Sequence, residues 1–242
     1  MSALLRVDSR RMKTLLVIDA SARLNRSVTR HLTQRVAANW LRLYPTGSVQ
    51  HLDVGRHPPP AIDENWIAAA YIPAAQRTSE MHTALAASDR YVDQLLAADA
   101  IAIGAPLYNF GMPAQLKAYI EQVVRVGRTF EFNRDGKDPY LGLVGNKPTL
   151  LITSSGASRV VATSSGPETS YLEPQLLTTF ELMGIRDVTL VAFRGQQEDS
   201  AHIARALAAA EREIDAWLPK AVGDTVAQNP EAAAVTIAES SP

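Results

Sequence analysis

The chain has 242 residues, with 24 lysines and arginines against 25 aspartates and glutamates, and it has no cysteine. The near-balance of charge removes the global electrostatic case for a nucleic-acid or anionic-membrane partner. The missing thiols exclude disulfides, thiolate zinc sites and a catalytic cysteine. No apolar run approaches the roughly 20 residues of a membrane span, and residues 15–18, behind Arg6, Arg10, Arg11 and Lys13, are too short for a signal-peptide core. The expectation is a soluble, cytoplasmic protein.

Residues 1–12 read as an irregular extension, with Met12 a candidate alternative start. Residues 14–19 (TLLVID) have the composition of a strand buried on both faces. A polar turn leads into a helix over 27–43, where Val28, Leu32, Val36 and Trp40 recur at four-residue steps and Ser27 is placed to cap. Pro45-Thr46-Gly47 ends it, and residues 49–54 alternate as a second strand. His57-Pro58-Pro59-Pro60 opens a long segment with a short helix expected within 62–75 and a clearer one over 79–98. A third, buried strand begins at Ile101 and breaks at Gly104 and Pro106. Pro113 then suits the first turn of a helix that ends near Arg125. Residues 129–145 are turn-rich, and Phe130 and Phe132 alternate before Asn133-Arg134-Asp135-Gly136, a hairpin signal. A fourth strand is expected at 147–153, a loop at 154–167, a helix at 171–183 capped by Gly184, a strand at 186–193 and an alanine-rich helix at 199–217. Residues 221–242 read as a mobile tail, which leaves 13–220 as the domain.

Strand alternates with helix five times. That predicts an α/β fold: a five-stranded parallel sheet, order 2-1-3-4-5, with helices on both faces. On this order the loops after strands one, three and four meet at the carboxyl edge, where open α/β sheets bind ligands. The first loop carries Ser21, Ser27 and Thr29 beside Arg23, Arg26 and Arg30 at a helix start, a setting for one terminal phosphate. It has no glycine between Ser21 and Thr29, so it matches neither dinucleotide fingerprint nor Walker A. The second loop, Leu107-Tyr108-Asn109-Phe110, offers an aromatic pair and an amide to a flat ligand. The third, Ser154-Ser155-Gly156-Ala157, offers hydroxyls and close backbone approach. Singly, each loop also reads as a simple cap or connection. Together they match a phosphate end, a flat apolar middle and a polar edge. His31, His51, His57, His82 and His202 lack metal-ligand spacing.

These segments resemble the FMN-dependent NADH:azoreductase family, flavodoxin-like enzymes of the NAD(P)H:quinone reductase group. The resemblance rests on residues 16–29, 105–122 (APLYNFGMPAQLKAYIEQ), 127–132 (GRTFEF), 151–157 and 171–185, and spans roughly residues 13–220. It implies a flavodoxin-like fold and FMN as cofactor. Ser21, Ser27, Val28 and Thr29 would hold the phosphate, while Leu107, Tyr108, Asn109 and Phe110 wrap the ring. Ser154, Ser155, Gly156 and Ala157 would meet the pyrimidine edge. Asn109 is the candidate whose backbone amide faces flavin N5, and Phe130 and Tyr108 are candidates for the substrate pocket. Thr29 stands where the family commonly has serine, and Ser155-Gly156-Ala157 where it has a bulkier residue and two glycines. The implied activity is two-electron, ping-pong reduction of quinones or azo compounds by NADH or NADPH. A flavodoxin-like electron carrier is the alternative. The resemblance also implies a homodimer with active sites between subunits, and Tyr119, Val123, Phe130 and Phe132 are candidates for its apolar face, core being their other reading.

Overall fold

Alternation along the strands creates two separate cores. In the computed structural model, Leu15 and Val17 leave one face of the first strand and Leu16 and Ile18 the other, and all four are buried. A strand buried this way needs helices on both sides. The structure describes residues 13–134, 136–156, 170–196 and 198–227. Ala157, most of the loop at 154–167, Asp135, the first 12 residues and the last 15 lie outside them.

The sheet strands are β1 (Thr14–Asp19), β2 (Ser48–Asp53), β3 (Ala100–Pro106), β6 (Thr149–Ser154) and β7 (Val188–Phe193), and two short strands, β4 (Phe130–Phe132) and β5 (Tyr140–Gly142), form a separate antiparallel hairpin. All pairings in the main sheet are parallel, in the order β2-β1-β3-β6-β7. With the hairpin set aside this is the expected order 2-1-3-4-5. The helices are α1 (Val28–Leu43), α2 (Glu64–Ala70), α3 (Ser79–Ala97), α4 (Ala114–Val123), α5 (Leu172–Leu182) and α6 (Ser200–Ala227). Leu32, Val36 and Trp40 of α1 and Ile214, Trp217 and Leu218 of α6 cover one face of the sheet. Tyr91, Val92 and Leu95 of α3, Leu116 and Ile120 of α4, and Leu176 and Phe180 of α5 cover the other.

Three expectations change. Pro113 is not in the first turn of α4 but caps it one residue earlier, with ψ 141°, and its carbonyl accepts from the Leu116 and Lys117 N–H groups. The last helix does not stop at Trp217; it continues through Pro219 to Ala227, so residues 221–227 are helical rather than tail. Trp217 and Leu218 are buried against the sheet and anchor the turn that meets the proline. Tyr119 and Val123 are core, not an outer face: they are 2% and 0% exposed. The Tyr119 ring meets Tyr91 of α3 edge-on, with centroids 5.7 Å apart, because the apolar stripe of α4 is consumed by the sheet and α3. Burial in that apolar setting, with the charge of a Tyr91 phenolate nearby, pushes the Tyr119 phenol above its ordinary value.

Register sets the ends of the strands level. Asp19 pairs with both Asp53 and Gly104, and Pro106 pairs with Ser154. The three loops of interest therefore leave the same edge side by side.

Candidate functional site

A cleft of about 210 Å³ opens at that edge, lined by residues of all three loops. Ser21, Arg23, Ser27 and Val28 form one end; Pro106, Leu107 and Tyr108 form the middle; Ser154 and Gly156 form the far side, with Gln196 after β7.

The first end is a helix start stripped of its own partners. Ser27 is the N-cap of α1, its hydroxyl accepting from the Arg30 N–H at 3.3 Å. Among the described residues, the Val28 and Thr29 N–H groups have no hydrogen-bond acceptor. The first donors of a helix are left over by its geometry and carry its positive dipole end, so they suit an anion. The Thr29 side chain does not reach the cleft. It is buried, and its hydroxyl meets that of Ser27 at 3.1 Å, so its hydroxyl supports Ser27 while its N–H remains with the helix end.

The middle is a tight turn. Tyr108 and Gly111 exchange both backbone hydrogen bonds, at 3.0 and 2.9 Å, and the two residues between them, Asn109 and Phe110, have φ of 48° and 67°. The left-handed region is costly for a bulky side chain and persists where surrounding bonds over-determine it. Here the Phe110 carbonyl also accepts from the Tyr171 N–H at 2.8 Å. Asn109 and Phe110 stand exposed beside the cleft rather than in its wall. The far side is tied to this loop by the Leu107 N–H, which donates to the Ser154 carbonyl at 2.7 Å, and Ser155 exchanges backbone bonds with Phe193 and Gln196.

Of the residues singled out from sequence, Ser21, Ser27, Val28, Leu107, Tyr108, Ser154 and Gly156 come together in the wall. Thr29, Asn109, Phe110 and Ser155 adjoin it, and Ala157 lies outside the described residues. Phe130 does not join the cleft of its own chain. It turns into the hairpin, nearly buried, with ring centroids 5.6 Å from Phe132 and 6.0 Å from Tyr140. Phe132, Tyr140 and Leu141 remain exposed on that hairpin. Among the described residues no group of His, Asp and Glu side chains could hold a metal ion.

Sequence reasoning missed what lies behind the first loop. Asp19, Arg30, His51 and Asp53 form a charged cluster at the ends of β1 and β2. The Arg30 guanidinium donates to both Asp53 carboxylate oxygens, at 2.7 and 2.6 Å, and lies 3.7 Å from Asp19. Its hydrogen bond to Asp53 is the main reason its pKa is raised. Burial works against the charge on Asp53, but the Arg30 and Arg56 N–H donors and the Arg30 charge hold its carboxyl below the usual range. His51 meets Asp19 at 2.7 Å, and that bond raises the imidazole above its ordinary value. The available signal was positional: Asp19 and Asp53 both end strands that feed one edge.

The model of the flavodoxin-like fold family matches residues 13–218. The chain is 41% identical over 209 residues to an FMN-dependent NADH:quinone oxidoreductase of Opitutus terrae, covering 86% of this chain and 98% of that one. It is also 41% identical over 207 residues to FMN-dependent NADH:quinone oxidoreductase 1 of Trichormus variabilis, covering 84% and 96%. Among solved structures, the azoreductase AzrA superposes with a TM-score of 0.73 at 25% identity, covering 83% of this chain and 96% of that one. With its fold, its edge cleft and these relatives in agreement, the chain belongs to the flavodoxin-like fold family, in the group that includes the FMN-dependent NADH:quinone oxidoreductases.

Proposed function

We propose that the chain is an FMN-dependent NAD(P)H oxidoreductase that reduces quinones or azo compounds by two electrons. The observation that carries this reading is the composition of one cleft: unpaired helix N–H groups and hydroxyls at one end, a flat apolar middle, and a polar far side. That sequence of surfaces fits a single phosphate joined to a planar ring. The relatives, FMN-dependent enzymes, support the same cofactor. NADH, named for those relatives, is the expected donor, with NADPH as the other nicotinamide to be tried.

Ser27, with the Val28 and Thr29 N–H groups, would hold the phosphate, and Ser21 and the Arg23 charge close that end. Pro106, Leu107 and Tyr108 would lie along the ring. The Asn109 N–H, presented by the left-handed turn, is the donor proposed for flavin N5, and Ser154, Ser155, Gly156 and Ala157 would serve the pyrimidine edge. FMN, when bound, supplies the hydride chemistry, accepting two electrons from the nicotinamide and delivering them to the acceptor. The protein needs no side-chain nucleophile; it binds, orients and keeps Tyr108 and Phe110 at the opening through which both substrates must pass in turn.

The same reading includes a homodimer. Phe110, Phe132, Tyr140, Leu141 and Tyr171 are exposed, which is a large apolar area for an isolated domain. A second copy packed against them would remove that area from water. Among the described residues no helix is long and apolar enough to cross a membrane, and we place the enzyme in the cytoplasm.

The test is direct. The purified protein should be yellow, release FMN rather than FAD on denaturation, and reduce a quinone and an azo dye with NADH or NADPH. Double-reciprocal plots should be parallel. A colourless protein that takes up no FMN refutes the reading, and FMN binding without turnover of either acceptor makes the chain an electron carrier.

A further inference from the structure

Arg30 touches both halves of the phosphate loop. Its backbone N–H, the third of α1, donates to the Ser27 hydroxyl. Its side chain reaches back to the start of the loop, where Nε and one terminal nitrogen donate to the Ser21 carbonyl at 3.2 and 2.7 Å. The other edge of the same guanidinium grips Asp53 through two short bonds. One planar side chain, 9% exposed, thus joins the loop after β1 to the end of β2. Lysine could not replace it, because a single ammonium has no two-edged fork.

The surroundings are built to accept this fork. Gly55, two residues past Asp53, lies so close that a Cβ there would stand 2.3 Å from the Ser21 carbonyl oxygen and 3.0 Å from the guanidinium. Any side chain would push the loop forward. Asp19 holds its place through Thr33, which donates at 2.8 Å, and through His51. Its carboxylate adds a second negative neighbour to the guanidinium. None of these groups lines the cleft.

The arrangement has a chemical consequence. A carbonyl oxygen aimed at a phosphate would repel it. The fork draws the Ser21 carbonyl to the rear, and Ser21 itself remains in the cleft wall. We propose that Arg30, clamped by Asp53, is the positioning residue of the phosphate end: it fixes the loop so that the helix N–H groups and hydroxyls face a phosphate. This rests on the FMN reading above and deepens it, assigning preference for the phosphate-bearing cofactor over its dephosphorylated form to groups that never touch it.

The experiment compares FMN with riboflavin, which shares the ring and lacks the phosphate. Apoprotein is titrated with each, following quenching of flavin fluorescence, and its melting is recorded alone. Asp53→Asn strands the buried Arg30 charge and Arg30→Lys keeps a charge but loses the fork, so both are paired with the double variant Arg30→Met, Asp53→Leu, which removes both charges and keeps volume. All folded variants should lose at least about tenfold in FMN affinity, the scale of the lost hydrogen bonds, while riboflavin binding stays at the parent value. Arg30→Lys should lose as much as the others despite its charge. A folded double variant that keeps the parent preference for FMN overturns the proposal. So does an equal loss for both ligands, which makes the clamp a support of the whole fold. If the parent takes up neither ligand, the functional reading itself fails and this inference falls with it.

Discussion

The two ends of the cleft are built by opposite means. At the phosphate end, charge stands behind a loop: Arg30, Asp53, Asp19 and Thr33 are tied together by hydrogen bonds, and the loop in front keeps its N–H donors unspent. At the aromatic end, a backbone turn takes the place of that charged cluster. The turn at Asn109 and Phe110 is held by backbone bonds, with Leu107 and Met112 packed on the core on either side of it, and Phe110 and Tyr171 are left exposed, as are Phe132 and Tyr140 of the hairpin. The first end is preorganised by the chain itself, whereas the second leaves apolar surface exposed. A small polar group is recognised by fixed donors. A large flat one can be covered by whatever packs against it, including another copy of the chain.

That contrast can be broken at its foundation first. Val123, the last residue of the helix α4 that starts directly after the aromatic turn, is core rather than an outer face. Val123→Asp buries a charge without a partner, and the expected loss is about 4 kcal/mol or more. Circular dichroism should show an unfolded or insoluble chain. A folded monomer would instead return Val123 to an outer face.

Next comes the polar end. Ser27→Ala removes both the cap of α1 and the proposed phosphate ligand. The cap is worth about 1 kcal/mol of stability, and a hydrogen bond to a charged phosphate about 1.5–3 kcal/mol of binding. Melting should fall slightly and FMN affinity should fall by at least about tenfold. Unchanged affinity would place the phosphate elsewhere.

The aromatic end should respond in the other direction. Phe110 sits at φ 67°, where glycine carries no penalty. Phe110→Gly should raise apoprotein stability by about 1 kcal/mol in urea unfolding while weakening FMN binding. Lower stability would show that the ring contributes more than its backbone costs.

The hairpin should matter to assembly and little to the chain. Replacing Phe132 and Leu141 with serine, both about half exposed, should change chain stability by no more than about 0.5 kcal/mol. Light scattering should nevertheless show the mass halved relative to the parent. A parent that is already a monomer removes the dimer from the reading.

The smallest effect is a titration behind the polar end. Asp19, Asp53 and Arg30 are the charged groups around His51, and the bond to Asp19 leads in raising its folded-state pKa above 6.5. The stabilisation is therefore fully present below the unfolded pKa and lost as pH rises through the folded value. His51 is half exposed, so solvent screening limits it to less than about 1 kcal/mol. The melting difference between parent and His51→Gln should be largest near about pH 5.5 and vanish near about pH 9. A difference that grows with pH would contradict the pairing.

The sequence by itself determined the sheet, its order and its three productive loops. Local patterns sufficed there, because buried parallel strands carry continuous apolar runs, such as residues 15–18 and 150–152, and the crossovers between them leave few arrangements. It also named most of the cleft wall, since hydroxyls at a helix start and aromatics after a strand are local signals. The interior of α4 was not legible: Tyr119 and Val123 share a stripe that suits core and interface equally, and only α3 packed against it decides. Nor was the cluster behind the loop, because Arg30 and Asp53 are 23 positions apart and meet only when β1 pairs with β2. Hydrophobic periodicity records which face of an element is buried. It carries no record of which distant charge a buried guanidinium will find, and that choice belongs to the tertiary structure.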